Sequence, residues 1–400
     1  MITFDSFGII QKELYAAAAA IITRGDCMIY QSVTSPAERD YLTAQLITYL
    51  GNKRALLDFI GSAVDLVKAE LGQDKLSIGD FFSGSGVVAR YFKHCASRLV
   101  VNDLERYCEV LNQCYLSNRS QLDLDHLRDV HDGLCRRLEG GLDEDGIIAR
   151  IYAPRDENNI QPGERVFYTP RNARFIDTAR RLIGELPPEE QPYFLAPLLS
   201  EASIKSNTAG VFKGFYKDAR TGIGQFGGTA RNALSRICCE ITLPFPVFSS
   251  YECPVDILRG DALDAARQLE MLDLVYLDPP YNQHPYGSNY FMLNLICDYC
   301  EPEEISAVAG IPREWNRSRY NRVGIAFETL AELCAAVRAK YLLVSFNSEG
   351  FVTRGEMTHM LSHLGKVQVL ETPYNAFRGS RNLQNRDLHT TEYLFLVRKA

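Results

Sequence analysis

The first ~70 residues keep apolar positions at helical spacing. Within them Asp40–Ile60 is strongly amphipathic around a break at Tyr49-Leu50-Gly51-Asn52-Lys53. The pattern then changes. Leu76–Phe82 reads as a short strand ending in Ser83-Gly84-Ser85-Gly86, Val87–Cys95 as a helix, and Arg98–Val101 as a second strand ending at Asn102-Asp103. Strand, glycine turn, helix, strand is the order of a parallel βαβ unit. The rhythm returns late in the chain. Asp256–Arg259 is strand-like before Gly260-Asp261, Ala262–Leu269 is helical, and Leu272–Leu277 is a nearly continuous apolar run. Such a run suits a strand buried on both faces. Tyr341–Phe346 and Glu392–Val397 predict two more strands. Between the halves, Leu122, Leu127, Val130, Leu134 and Leu138 keep helical spacing, followed by an acidic, glycine-bearing loop over 140–146. The expectation is a split α/β core interrupted by a mainly helical insertion. Its units are residues 1–115, 116–245 and 246–400.

Composition narrows the class. With 400 residues, 46% of them apolar, the chain has material for a proper core. The longest apolar run, Leu14–Ile22, has nine residues, against the ~20 that a spanning helix needs. It also lacks the charged flank and cleavage pattern of a signal peptide. A net charge of −7 gives no global nucleic-acid signature, so any basic patch must be local. Ser203–Ile237 is one, with Lys205, Lys213, Lys217, Arg220, Arg231 and Arg236 against Asp218 alone. Arg313, Arg317, Arg319 and Arg322 around Trp315 form a second. Either stretch suits phosphate contacts, which position a protein on DNA without reading bases. Among eleven cysteines only Cys297 and Cys300 make a C-x-x-C, with no second pair or histidines at ligand spacing. No metal is expected, and the thiols read as reduced, in a cytoplasmic protein.

Two motifs carry chemistry. In Phe82-Ser83-Gly84-Ser85-Gly86 the glycines let the backbone turn sharply out of a strand and approach a ligand, with a helix N-terminus behind. Nineteen residues after Gly84 stands Asp103, at the end of the next strand, where α/β nucleotide folds place a ribose-binding acid. No P-loop Lys-Ser pair is present, which disfavours NTP hydrolysis. The second motif is Asp278-Pro279-Pro280-Tyr281, directly after the buried run. Two prolines force the chain out of the sheet there, fixing a carboxylate, a carbonyl and a ring at the strand's carboxyl end. That trio suits a planar amine, with acceptors for its hydrogens and a ring for its base.

Glycine turn, Asp103 and Asp278–Tyr281 together resemble the S-adenosylmethionine-dependent N6-adenine DNA methyltransferases. Tyr49-x-Gly51-x-Lys53 is similar to the N-terminal cofactor motif of their Dam-type alpha group, and the motif order fits that group. Gly260-Asp261-Ala262, Gly287-Ser288-Asn289-Tyr290, Leu342–Glu349 and Glu392-Tyr-Leu-Phe are further matches, as is Ser206–Phe212 inside the insertion. The resemblance implies a Rossmann-like core with a mostly parallel seven-stranded sheet and a helical DNA-recognition insertion. It further implies that Phe82, Ser83, Gly84 and Gly86, with Tyr49, Gly51 and Lys53, wrap the methionine part of S-adenosylmethionine. Asp103 would hold the ribose and Asp261 the adenine amine. Asp278 and the Pro279 carbonyl, stiffened by Pro280, would accept from the target N6, and Tyr281 would stack on the flipped base. Lys205, Asn207, Lys213, Lys217, Arg220, Asn289 and Tyr290 would serve double-stranded DNA. A cognate restriction endonuclease would be a separate chain.

The bland readings are plain ones. Lys53 reads equally as a solvated lysine on a helix, and Asp261 as a helix N-cap. Two rival functions compete with the main one: methylation of structured RNA, and a non-catalytic DNA-binding regulator that keeps the fold. Intact motifs at 82–86 and 278–281 disfavour the regulator.

Overall fold

The computed structural model describes residues 41–42, 44–228, 233–375 and 389–400. Seven strands form one sheet: β1 Leu76–Phe81, β2 Ala96–Asp103, β3 Val255–Arg259, β4 Leu272–Leu277, β5 Ala339–Asn347, β6 Gly365–Asn375 and β7 His389–Lys399. Their order across the sheet is β3-β2-β1-β4-β5-β7-β6. Neighbours from β3 to β5 run parallel, and β7 enters antiparallel between β5 and β6. The chain is therefore α/β with a mostly parallel seven-stranded sheet, the Rossmann-like core that was expected.

The alternation of β4 shows why both faces must be covered. Leu274 and Tyr276 join a cluster with α1 (Leu57–Leu71) and α2 (Val87–Lys93). Val275 and Leu277 join the opposite cluster. The continuous apolar run thus faces two helical layers at once.

Between β2 and β3 the chain first makes α3 (Arg106–Tyr115), then the insertion. Its helices are α4 Leu124–Glu139, α5 Ile147–Tyr152, α6 Pro170–Gly184, α7 Gln191–Ile204 and the short α8 Leu234–Ile237. On the second face lie α9 (Ala262–Gln268), and, after the turn α10 (Tyr286–Asn289) and α11 (Phe291–Asp298), the helices α12 (Ala326–Ala336) and α13 (Arg354–Ser362). The insertion buries its apolar face against α3 and α11, in one continuous cluster that includes Leu111, Ile176, Leu198 and Ile296.

Two expectations need correction. The break read at Tyr49–Lys53 is present, but the helical reading does not hold for residues 44–48 before it. Residues 44–53 run irregularly, and α1 begins only at Leu57, after a 3-10 turn over Arg54–Leu56. Tertiary bonds hold the irregular stretch: Thr48 N–H donates to Ser203 Oγ (3.1 Å) and Leu50 N–H to Tyr290 Oη (2.7 Å). The second correction is β6, for which the pattern gave no signal. The run Leu14–Ile22 lies outside the described residues. No helix among the described residues is long and apolar enough to cross a membrane.

Candidate functional site

The chain connects β1 to β2 on one side and β4 to β5 on the other. The carboxyl ends of β1 and β4 therefore flank the point where strand order reverses, which is where open α/β sheets bind ligands. The glycine turn leaves β1 there. Gly84 and Gly86 have φ of 53° and 74°, and Phe82 is itself left-handed at 68°. A Cβ on Gly84 would sit 2.8 Å from the Tyr49 ring, and one on Gly86 would sit 2.6 Å from Asn112 Oδ1. Both positions exclude any side chain, and the backbone stays open to a ligand. Ser83 is buried, its hydroxyl accepting from Asn112 Nδ2 (2.8 Å).

Around the turn, an open cleft is lined by Tyr49, Gly51, Phe82, Asp103, Glu105, Asp261, Asp278, Pro280 and a wall of Asn316, Ser318, Tyr320 and Asn321. Four carboxylates face it. Asp103 accepts from Gly84 N–H (2.8 Å) through Oδ2 and from Glu105 N–H (3.0 Å) through Oδ1. Burial raises its carboxyl, and these N–H donors oppose the shift. Asp261 caps α9 through Leu263 N–H (2.9 Å), so the N-cap reading holds while the residue also lines the cleft.

Behind the turn Asp80 is 1% exposed, and neither carboxylate oxygen has a hydrogen-bond partner among the described residues. Burial pushes it well above the usual carboxylate range, with Asp278 and Asp103 adding to the effect.

Asp278 follows β4 with its side chain 18% exposed. Oδ1 lies 3.2 Å from Lys53 Nζ, an ion pair without hydrogen-bond geometry. Lys53 is buried and also reaches Glu392 Oε2 on β7 at 3.5 Å. Burial alone would lower the Lys53 ammonium, but Asp278 and Glu392 reverse this and hold it charged. Burial raises Asp278, opposed by Lys53 and Ser345. Lys53 is thus neither a solvated lysine nor free for a ligand: it is the cation between two carboxylates.

Tyr281 is partly exposed, its ring edge-on to Phe346 at 6.0 Å with Lys53 Nζ 5.8 Å from its centroid. Tyr49 stacks on Tyr286 (5.0 Å) and Tyr290 (4.9 Å), closing the cleft's other side.

The structure brings Tyr49, Gly51, Lys53, the glycine turn, Asp103, Asp261 and Asp278–Tyr281 to one place. It disperses the expected DNA contacts. Lys205 is tied to Glu201 and the Glu240 carbonyl. Asn207 is fully buried, donating to the carbonyls of Val166 (2.7 Å) and Gln225 (2.8 Å) and accepting from Gly227 N–H (3.0 Å). Asn289 and Tyr290 are buried too, the former holding Phe212 N–H through its carbonyl (2.7 Å) and the latter Leu50 N–H. Lys205 is thus half-buried and ion-paired, the Asn207 amide is spent on buried partners, and Asn289 and Tyr290 are buried. Lys213, Lys217 and Arg220 are exposed. Arg236 is spent on the carbonyls of Ile204, Ser206 and Thr208, and Arg231 lies outside the described residues. Cys297 is buried while Cys300 is exposed, and no group of metal-ligating residues occurs among the described residues.

Sequence reasoning missed Asp80, Glu105, Asn316, Tyr320 and the role of Glu392. Asp80 had a signal: an acid inside an otherwise apolar strand next to the glycine turn.

A family model described as D12 class N6 adenine-specific DNA methyltransferase matches residues 49–220 and 255–360. These spans hold every motif named above except the closing Glu392 segment. The chain is 28% identical over 363 residues to the type II methyltransferase M.NlaIII of Neisseria lactamica, covering 88% of this chain and 100% of that one. It is 26% identical to M.CviAII of Paramecium bursaria Chlorella virus 1, covering 88% and 98%. It is also 26% identical to M.FokI of Planomicrobium okeanokoites, covering 88% of this chain and 52% of that one. With the glycine turn, the acids beyond β2 and β3 and the Asp-Pro-Pro-Tyr after β4 in one cleft, the chain belongs to the D12 class of N6 adenine-specific DNA methyltransferases.

Proposed function

We propose that this adenine N6 methyltransferase takes S-adenosylmethionine as its methyl donor in the cleft between the glycine turn and the 316–321 wall. It acts on an adenine extruded from duplex DNA. The observation that carries the reading is Asp278, half-buried at the mouth of a carboxylate-lined cleft and tied to Lys53. The lining fits such a donor: glycines whose Cβ positions are already filled, and acceptors for hydroxyls and an amine at Asp103 and Asp261. The bound donor supplies an electrophilic methyl on a sulfonium.

The chain's own residues do the rest. A target inside a duplex must leave the stack to be reached. Asp278 and the Pro279 carbonyl accept the two N6 hydrogens, which draws the amine toward tetrahedral geometry and frees its lone pair for in-line attack. Tyr281 offers its exposed ring face to the base. Lys53 keeps Asp278 ionised, and so able to accept, despite burial. Positioning and electrostatics then carry the transfer, with no covalent enzyme intermediate. As the N6–methyl bond forms, the donor's carbon–sulfur bond would break to leave a neutral thioether, and the surplus N6 proton would pass by way of Asp278 to water. The motif order supports the Dam-type alpha group.

Lys213, Lys217 and Arg220 carry the phosphate contacts on the insertion. This segment abuts the cofactor loop, since a Cβ on Gly210 would stand 3.1 Å from Thr48 Cγ2. The type II relatives support a restriction–modification role with a separate endonuclease. The test is a single-turnover assay with labelled S-adenosylmethionine and analysis of the modified nucleoside. Asp278→Ala should lower the rate on the order of 10²–10³ while calorimetric cofactor binding persists. Normal turnover, or a product other than N6-methyladenine, refutes the reading.

A further inference from the structure

Glu105 stands two residues beyond Asp103, as the cap residue of α3. It is 3% exposed and lines the cleft. Its Oε2 accepts from two side-chain amides, Asn294 Nδ2 of α11 at 2.6 Å and Asn316 Nδ2 of the cleft wall at 3.0 Å. Among the described residues no donor reaches Oε1. Space beside Oε1 is kept open by Gly287, where a Cβ would come within 3.0 Å of that oxygen and 2.5 Å of the Asn316 carbonyl. Asp103, by contrast, has each oxygen on a backbone N–H of the turn that it braces. A buried carboxylate with one oxygen clamped by two amides and the other open toward a ligand cleft is an aimed acceptor. Burial pushes the Glu105 carboxyl up to about 7, the two asparagines opposing the shift.

We infer that Glu105 is a second nucleoside-binding carboxylate, whose Oε1 accepts a hydrogen bond from a ribose hydroxyl of the methyl donor. The inference rests on the cofactor reading above. The place in the fold selects the ribose. The glycine turn and Asp278 stand over β1 and β4, Asp261 stands over β3, and Glu105 stands beyond β2, between them. A nucleoside laid across these strand ends has its sugar over β2. Asn294 and Asn316 are positioning residues that act through Glu105.

The experiment is calorimetric titration at pH 8.5 with S-adenosylhomocysteine and its 2′-deoxy and 3′-deoxy ribose analogues, on the full chain and on Glu105→Gln. Glutamine keeps an oxygen for the two asparagines and turns an amide NH₂ toward the cleft. For the unmodified chain, loss of the hydroxyl that Glu105 holds should weaken binding roughly ten- to a hundredfold, as for a hydrogen bond to a charged group. Glu105→Gln should weaken the parent ligand by a similar factor and leave that one analogue nearly unchanged. If Glu105→Gln weakens all three ligands equally, Glu105 is only a clamp and the inference is overturned. It is also overturned if neither hydroxyl matters to the unmodified chain. Failure of the unmodified chain to bind S-adenosylhomocysteine would instead remove the cofactor reading. Should Glu105→Gln not fold by melting curve, Glu105→Asp, which retracts the carboxylate by one methylene, enters the same comparison with the same expected loss of discrimination.

Discussion

The carboxyl edge of the sheet and the Ser203–Gly228 segment of the insertion are both rich in buried polar groups, yet they treat them in opposite ways. At the sheet edge Asp80, Asn102 and Asp278 each keep at least one buried oxygen without a hydrogen-bond partner among the described residues. In the insertion every bonding group of the Asn207 amide is engaged except one acceptor direction of its oxygen, and Arg236 is shared among three carbonyls. Native interiors satisfy their polar groups, so an unsatisfied cluster marks a place that something else completes. The saturated region holds the fold, and the unsaturated one awaits a ligand. Charge and polarity in a sequence window do not separate the two, whereas bonding state does.

The comparison breaks first at Asn207. Asn207→Ala strips partners from two carbonyls and one N–H, each costing about 1–3 kcal/mol when buried. We expect ~3 kcal/mol or more of lost stability in denaturant unfolding, with the single-turnover rate per folded molecule little changed. A rate loss without a stability loss would move Asn207 into the working site.

Tyr281 should give the reverse. Base–aromatic stacking is worth roughly 1–3 kcal/mol, so Tyr281→Ala should cost about ten- to a hundredfold in single-turnover efficiency and Tyr281→Phe only a few-fold. Equal losses for both would point to the hydroxyl, and a matching fall in melting temperature would make Tyr281 a packing residue.

Lys53→Met sharpens the electrostatics. Burial already raises the Asp278 carboxyl, and Lys53 is the main opposing influence. Without that cation Asp278 protonates at higher pH, so the acidic limb of the pH–rate profile should move upward, with a smaller loss on the alkaline side. An unmoved limb would show that Asp278 ionisation does not limit the rate.

The smallest effect is expected at the exposed lysines. Lys213→Ala with Lys217→Ala should flatten the log–log salt dependence of DNA affinity by about 1.8, at ~0.9 per phosphate contact. An unchanged slope places the DNA path elsewhere.

Much of the core was legible because it is local. Leu272–Leu277 alternates toward two layers and is observed with those bounds, and the turn at 82–86 shows its glycines. The helical reading within Asp40–Ile60 failed only before its break, and for a long-range reason. Its first half is held irregular by Ser203 and Tyr290, the nearer of which is 155 positions away. The engagement of the Asn207 amide was not legible because its partners at Val166, Gln225 and Gly227 lie 18 or more positions away. Glu105 was invisible for the opposite reason: an acid at the start of a helix has an ordinary explanation in the helix dipole. Only the asparagines brought in from 294 and 316 reveal its second face.

The place of β7 has a consequence for how the protein is made. β6 is synthesised first but, among the described residues, pairs with β7 alone, so it has no sheet partner there until the later strand slides between it and β5. Glu392 rides on that strand, and Lys53, 339 positions earlier, lacks its second carboxylate until then. At ~5–20 residues per second, the ribosome needs about 17–70 s to span that interval. In its last part, once β5 is complete at Asn347 and before Glu392 is added, β5 presents an open edge of the kind that pairs with other chains. Closure of the sheet and completion of the Asp278–Lys53–Glu392 network are thus one late folding event, which ties the onset of methylation to the disappearance of the nascent chain's aggregation-prone edge.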